Sequence, residues 1–186
     1  MVAEKPREGG LGHVEEALRG VSLLWDLFEA CREGLPEKEK KEVSGAGVAR
    51  RAKDLPSMVS SAGLVPALTF YMSKADQGLY QGLYRYLRGG AGDAHGVCSA
   101  APEGLRKELG GKEGAGYAAL LALAAVFLAE TGYLDPEPVD YRSLAEALRG
   151  LAAGTVRALA AERLLLEYLV EVKKLAEAFF KEEKEG

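Results

Sequence analysis

The sequence predicts an all-α, single-domain helical bundle of about six to seven helices, with a glycine-rich loop at about 89–116. Three observations predict it. Alanine (29) and leucine (28) supply 57 of the 186 residues, whereas the β-branched types supply 13 Val, 3 Thr and no Ile; Ala and Leu lead the helix scale, while strands draw on branched and aromatic residues. Apolar residues recur at three- and four-residue steps, the period of a helix with one buried face. A chain of 186 residues with 48% apolar and 28% charged residues has the size and composition of one domain with its own core, which excludes wholesale disorder.

The clearest stripe is at 13–33, where Val14, Ala17, Leu18, Val21, Leu24, Trp25 and Phe28 align, and Gly34 and Pro36 stop the helix. Residues 37–42 (Glu-Lys-Glu-Lys-Lys-Glu) read as a solvated linker or helix end. A second helix begins near Ser44–Val48, and Pro56 kinks or restarts it, with Asp54 as its cap. Gly63 supplies a left-handed stop, and Pro66 sits in the first turn of the next helix. Helices follow at 65–75 and 76–88. The stretch 89–116 holds nine glycines in 28 residues, with a short helix expected at 102–109. Ala115–Ala129 is an apolar run of fifteen residues, too short for a membrane span of ~20 and suited to a buried core helix. Asp135-Pro136-Glu137-Pro138 forms a corner, then helices at 140–150 and about 154–183 complete the bundle. The ends, 1–12 and 184–186, are expected to fray.

The first residues are charged and carry no apolar stretch, so no secretory signal is read there and the cytoplasm is the expected compartment. In that compartment Cys31 and Cys98 are expected as two buried thiols. The absence of Asn and the presence of only two Gln fit a thermophile, although a GC-rich genome also removes Asn and Ile.

Catalytic and cofactor signals are weak, and no enzyme, cofactor or metal centre is expected. His13 and His95 are the only histidines, and His95-Gly96-Val97-Cys98 lacks the second ligand pair that zinc requires. Gly110-Gly111-Lys112-Glu113-Gly114 lacks both the Gly-Lys-Ser/Thr ending and the preceding strand of a phosphate loop. The carboxylates fall beside Lys and Arg on solvated helix faces, where ion pairing accounts for them.

Charge is distributed unevenly. Residues 1–44 carry a net −3, residues 45–112 a net +4 and residues 113–186 a net −5. Within the basic middle, Arg50 and Lys53 lie one turn apart beside Arg51. On the 76–88 helix Gln81, Arg85 and Arg88 point away from Leu79, Leu83 and Tyr86, with Tyr80 and Tyr84 on the shoulder. A basic face edged by aromatics suits phosphate-backbone binding with occasional base stacking; the same helix also reads as a solvated one with its tyrosines half in the core.

The segment Arg51–Phe70 is the most distinctive. Lys53, Leu55-Pro56, Met58-Val59, Gly63-Leu64, Leu68-Phe70 and Ser73-Lys74, followed by the Leu79-Tyr80…Leu83…Leu87 helix and by Lys173-Lys174-Leu175-Ala176-Glu177-Ala178, resemble the small subunit of the Cmr (type III-B CRISPR) RNA-guided effector complex. The likeness covers residues 50–88, with support from 13–33 and 155–180; Ala62 stands where that family often has a polar residue, and 89–116 has no counterpart. The resemblance implies a small, all-α, non-catalytic subunit that stacks in several copies beside the backbone subunits and contacts guide RNA and target RNA through phosphates, in antiviral defence. Its partners would be the other Cmr subunits, copies of itself and the two RNAs. The expected RNA-facing residues are Arg50, Arg51, Lys53, Arg85, Arg88, Lys173 and Lys174, of which Lys53 and Lys174 match family positions; Leu55, Pro56, Gly63 and Leu64 shape the turn. The alternative is a helical protein–protein adaptor without nucleic-acid contact. An enzyme with a site in the bundle stands third.

Overall fold

A computed structural model describes residues 12–43, 45–89, 98 and 114–180. Among the described residues there are eight helices and no strand: α1 (Gly12–Arg32), α2 (Glu37–Glu42), α3 (Ala46–Ala62), α4 (Leu64–Lys74), α5 (Gln77–Gly89), α6 (Gly114–Glu130), α7 (Tyr141–Ala152) and α8 (Thr155–Phe179). The all-α bundle is as the composition predicts. The helix beyond the expected number is α2, whose mixed-sign sequence was open to a linker reading; Lys40 pairs with Glu37 at 2.8 Å across its one turn.

Helix α6 is the axis of the core. Every residue from Ala115 to Leu128 is buried, so it has no solvent face, as its unbroken apolar sequence dictates. Helices α3, α4 and α5 pack directly on it. The tightest approach is at Gly116, where a Cβ would collide with the backbone carbonyl of Gly47 on α3. On another side α1 and α8 pack together. Trp25 and Phe28 of α1 meet Phe179 and Phe180 edge-on at 5.4–5.9 Å between centroids, and Phe127 of α6 stacks on Tyr168 of α8 at 4.1 Å.

Helices α3 and α8 run antiparallel, since Lys53 lies against Glu177 while Leu64, just past the end of α3, meets Glu162. Helix α3 passes through Pro56 without interruption, so the expected restart there does not occur. Asp54 is not a cap: it sits inside the helix and pairs with Arg51. The real break is Gly63, with φ +94°, a region open to glycine and strained for other residues. Beyond it the Leu64 N–H donates to the Glu162 carboxylate of α8 at 2.9 Å, satisfying a first-turn donor of α4 from a neighbouring helix. Helix α7 opens on a capping box, with Ser143 N–H donating to Asp140 Oδ1 at 2.8 Å and Asp140 N–H donating to Ser143 Oγ at 3.0 Å.

One expectation is corrected. Cys31 and Cys98 are both buried, but they form a disulfide instead of remaining two thiols. Sequence distance argued against pairing, yet the fold brings their Cα atoms to 5.4 Å, within the bridging range. The glycine-rich residues 90–97 and 99–113, including the expected helix at 102–109, His95 and the Gly110–Glu113 motif, lie outside the described residues, as do both expected frayed ends apart from Gly12. Among the described helices none is long and apolar enough to cross a membrane.

Candidate nucleic-acid interface

Seven cations were singled out in the sequence, and the fold divides them. On α3, Arg50 is exposed and Lys53 lies one turn further along the same helix, its side chain 58% exposed. The Lys53 ammonium stands 3.7 Å from Glu177 on α8. Glu177 is three residues after Lys174 and four after Lys173, so these two lysines belong to the adjacent turn of the same helix flank. Lys174 is exposed and holds Glu171 at 2.7 Å; Lys173 is half-buried. The Lys53–Glu177 contact thus sets Lys53, with Arg50 one turn before it on α3, about one turn along α8 from Lys173 and Lys174, which lie more than a hundred residues away in the sequence.

Arg51 faces inward. Its side chain is only 14% exposed, its guanidinium lies 4.4 Å from the centroid of the Tyr117 ring, and it pairs with Asp54 at 2.8 Å. Tyr71 O–H donates to the Arg51 carbonyl at 3.0 Å. These contacts tie α3, α4 and α6 together, which gives Arg51 a packing role that helical periodicity could not distinguish from its neighbours.

Arg85 and Arg88 lie elsewhere. Arg88 reaches Glu130 at 3.4 Å and Glu137 at 3.1 Å, at the far end of α6 from Gly116 and Tyr117. A fourteen-residue interval along a helix spans roughly 21 Å. Arg85 is exposed, with no carboxylate in ion-pair range among the described residues. Arg19 of α1 joins the Arg88 cluster, holding Glu16 and Glu130 at 2.8 Å each and donating to the Leu87 carbonyl at 3.3 Å. Burial raises the Glu130 carboxyl above its ordinary value, while Arg19 and Arg88 oppose that rise. The cluster joins α1, α5 and the α6 end, and its cations are balanced by carboxylates.

The aromatic shoulder on α5 is corrected too. Tyr80 and Tyr84 are buried, not available to stack on bases. Tyr80 O–H donates to the Pro138 carbonyl at 2.5 Å and Tyr84 O–H to Glu137 Oε1 at 3.2 Å; burial pushes both phenols above their ordinary range. Tyr86 is likewise buried, with its hydroxyl on the Leu23 carbonyl at 3.1 Å. The reading with tyrosines in the core is the one realised, more completely than half.

Sequence reasoning missed Glu162 and Arg19, whose partners lie 98 and 111 residues away. Neither has a local signature. Among the described residues no three His, Cys, Asp or Glu side chains are grouped to hold a metal ion.

The family model for CRISPR-associated proteins of the Cas_Cmr5 type matches residues 37–179, well over half of the chain. No curated protein and no solved structure matches. The match takes in the Lys53–Phe70 block, the Gly63 break and the C-terminal helix up to Phe179, and the chain belongs to the Cas_Cmr5 family, the small subunit of the Cmr (type III-B) CRISPR complex.

Proposed function

We propose that this chain is a non-catalytic small subunit that stacks in several copies beside the backbone subunits of its Cmr complex and holds guide or target RNA by its phosphates. The observation that supports the RNA part is the meeting of α3 and α8 at Lys53 and Glu177, about one helical turn from Arg50 on α3 and from Lys173 and Lys174 on α8. Four cations on neighbouring antiparallel helices follow a phosphate chain better than cations on one helix, because successive phosphates advance along a groove between ridges. Base pairing between guide and target reads the sequence, so the subunit needs no base-specific contacts there. Arg85 remains an accessory contact; Arg88 and Arg51 act chiefly in holding helices together.

Protein–protein docking is favoured by a different observation. Val156 and Leu159, one turn apart at the start of α8, are 83% and 61% exposed, beside the exposed Arg163. Such a ledge on a rigid helix suits a neighbouring subunit. Cross-linking the assembled complex to its RNA with ultraviolet light, followed by peptide mapping, separates the two contributions. RNA adducts on peptides from α3 and the end of α8 are expected. Adducts confined to other subunits, with the chain retained after nuclease and high salt, would leave only the adaptor reading.

A further inference from the structure

Among the large apolar side chains exposed on the described surface, Phe70 is the aromatic one; the others are Leu or Val. It is 38% exposed near the end of α4. Tyr71 and Tyr117 hold its ring edge-on at 6.2 and 6.0 Å, and the Lys74 ammonium lies over it, 5.7 Å from the centroid. Tyr117 in turn carries the Arg51 guanidinium, so Phe70 packs on the same ring as the inward-facing cation of α3. The exposed hydroxyls beside it are occupied: Thr69 donates to the Val65 carbonyl at 2.8 Å and Ser73 to the Phe70 carbonyl at 2.7 Å. Asp76, the nearest acid along the chain, accepts from Leu79 N–H at 2.8 Å to cap α5. Lys74 has no carboxylate in ion-pair range among the described residues.

We infer that Phe70 and Lys74 form a stacking site for one unpaired base of a single-stranded RNA, the base taking the place of the Lys74 ammonium over the ring and the ammonium turning to the adjoining phosphate. This rests on the RNA reading above and adds to it a contact that paired RNA cannot make. A partly exposed ring beside a cation with no carboxylate partner among the described residues, on the segment whose net charge is +4, complements a polyanion that carries flat faces. In a duplex those faces are stacked inside, and only Lys74 would engage it. Aliphatic ledges such as Val156 offer no such complement to a base.

The test uses the full chain and fluorescence anisotropy with labelled oligouridine and a labelled RNA duplex. Phe70→Ala is expected to weaken oligouridine binding by roughly tenfold, within the range for removing one base–aromatic stack, and to leave duplex affinity and the salt slope unchanged. Phe70→Trp should restore binding. Lys74→Gln should lower the oligouridine salt slope by about 0.7, the effect of one phosphate neutralised on a single strand. If the wild-type chain binds both RNAs and Phe70→Ala changes neither, or both equally, the stacking site is overturned while RNA binding stands. Wild-type chain that binds neither RNA overturns the stacking site, and the RNA-holding reading is then decided by the cross-linking of the assembled complex. Unchanged RNA binding with loss of a co-purifying Cmr subunit would assign Phe70 to a protein contact instead.

Discussion

Neighbouring residues of one helix take different roles according to what lies across from them. Arg51 and Lys53 are two positions apart on α3, yet the guanidinium is held by Tyr117 and Asp54 while the ammonium reaches the surface beside Glu177. A planar cation stacks and pairs at once, which suits Arg to the inward position. A similar economy governs Asp140, whose carboxylate is held below its ordinary value by hydrogen bonds from Ser143. A depressed folded-state value means that the ionised cap stabilises the fold above the unfolded value near 3.8, and that this contribution disappears as pH falls through the folded value. Asp140→Ala should therefore unfold at lower temperature than wild type at neutral pH, with the two melting curves converging in strong acid. A constant gap between them from pH 7 to pH 2 would show that the ionised cap is not its source.

At the scale of elements, α6 organises the molecule, and its sequence announced it: an apolar run with no polar face fits only the middle of a bundle. Helix periods at 13–33, 65–75 and 76–88 were legible for the same reason, and Gly63 marked a real boundary because its positive φ is a local requirement. What periodicity could not show was which shoulder of α5 enters the core. Tyr80 and Tyr84 are amphipathic, and the carbonyl of Pro138 and the carboxylate of Glu137 that receive their hydroxyls come from the Asp135–Asp140 corner, over 50 residues on. Pro56 misled because proline removes one donor without necessarily ending a helix. The close crossing of α3 and α6 gives the sharpest element-level prediction. Gly116→Ala places a methyl against the Gly47 backbone, which cannot rotate away, and should cost roughly 1–3 kcal/mol in urea unfolding, the usual range for overpacking. Stability equal to wild type would mean that α3 and α6 do not approach as closely as described.

For the whole molecule, the Cys31–Cys98 bridge closes a loop with a sequence separation of 67 residues around α2 to α5. In the chain-entropy account such a closure is worth about 4 kcal/mol. Reductant should lower the melting temperature of the wild type markedly and leave Cys98→Ser unaffected; equal sensitivity of both would remove the bridge from the stability of the fold. The expectation of two thiols failed since compartment and spacing are poor guides to a distance set by tertiary packing.

The candidate interface was legible only in part for the same reason: a net charge of +4 in the middle segment locates cations along the chain, not around the bundle. Lys53 and Lys174 reach the surface of α3 and α8, each beside a single carboxylate, Glu177 and Glu171, whereas Arg88 lies between two, Glu130 and Glu137, at the other end of α6. The most direct measurement is the dependence of target-RNA affinity on salt for the assembled complex carrying Lys53→Gln with Lys174→Gln, beside Arg88→Gln and wild type. The double variant should flatten the log–log slope by about one for each phosphate that is no longer neutralised, with Arg88→Gln parallel to wild type. Parallel lines for all three would contradict an RNA-holding α3–α8 flank.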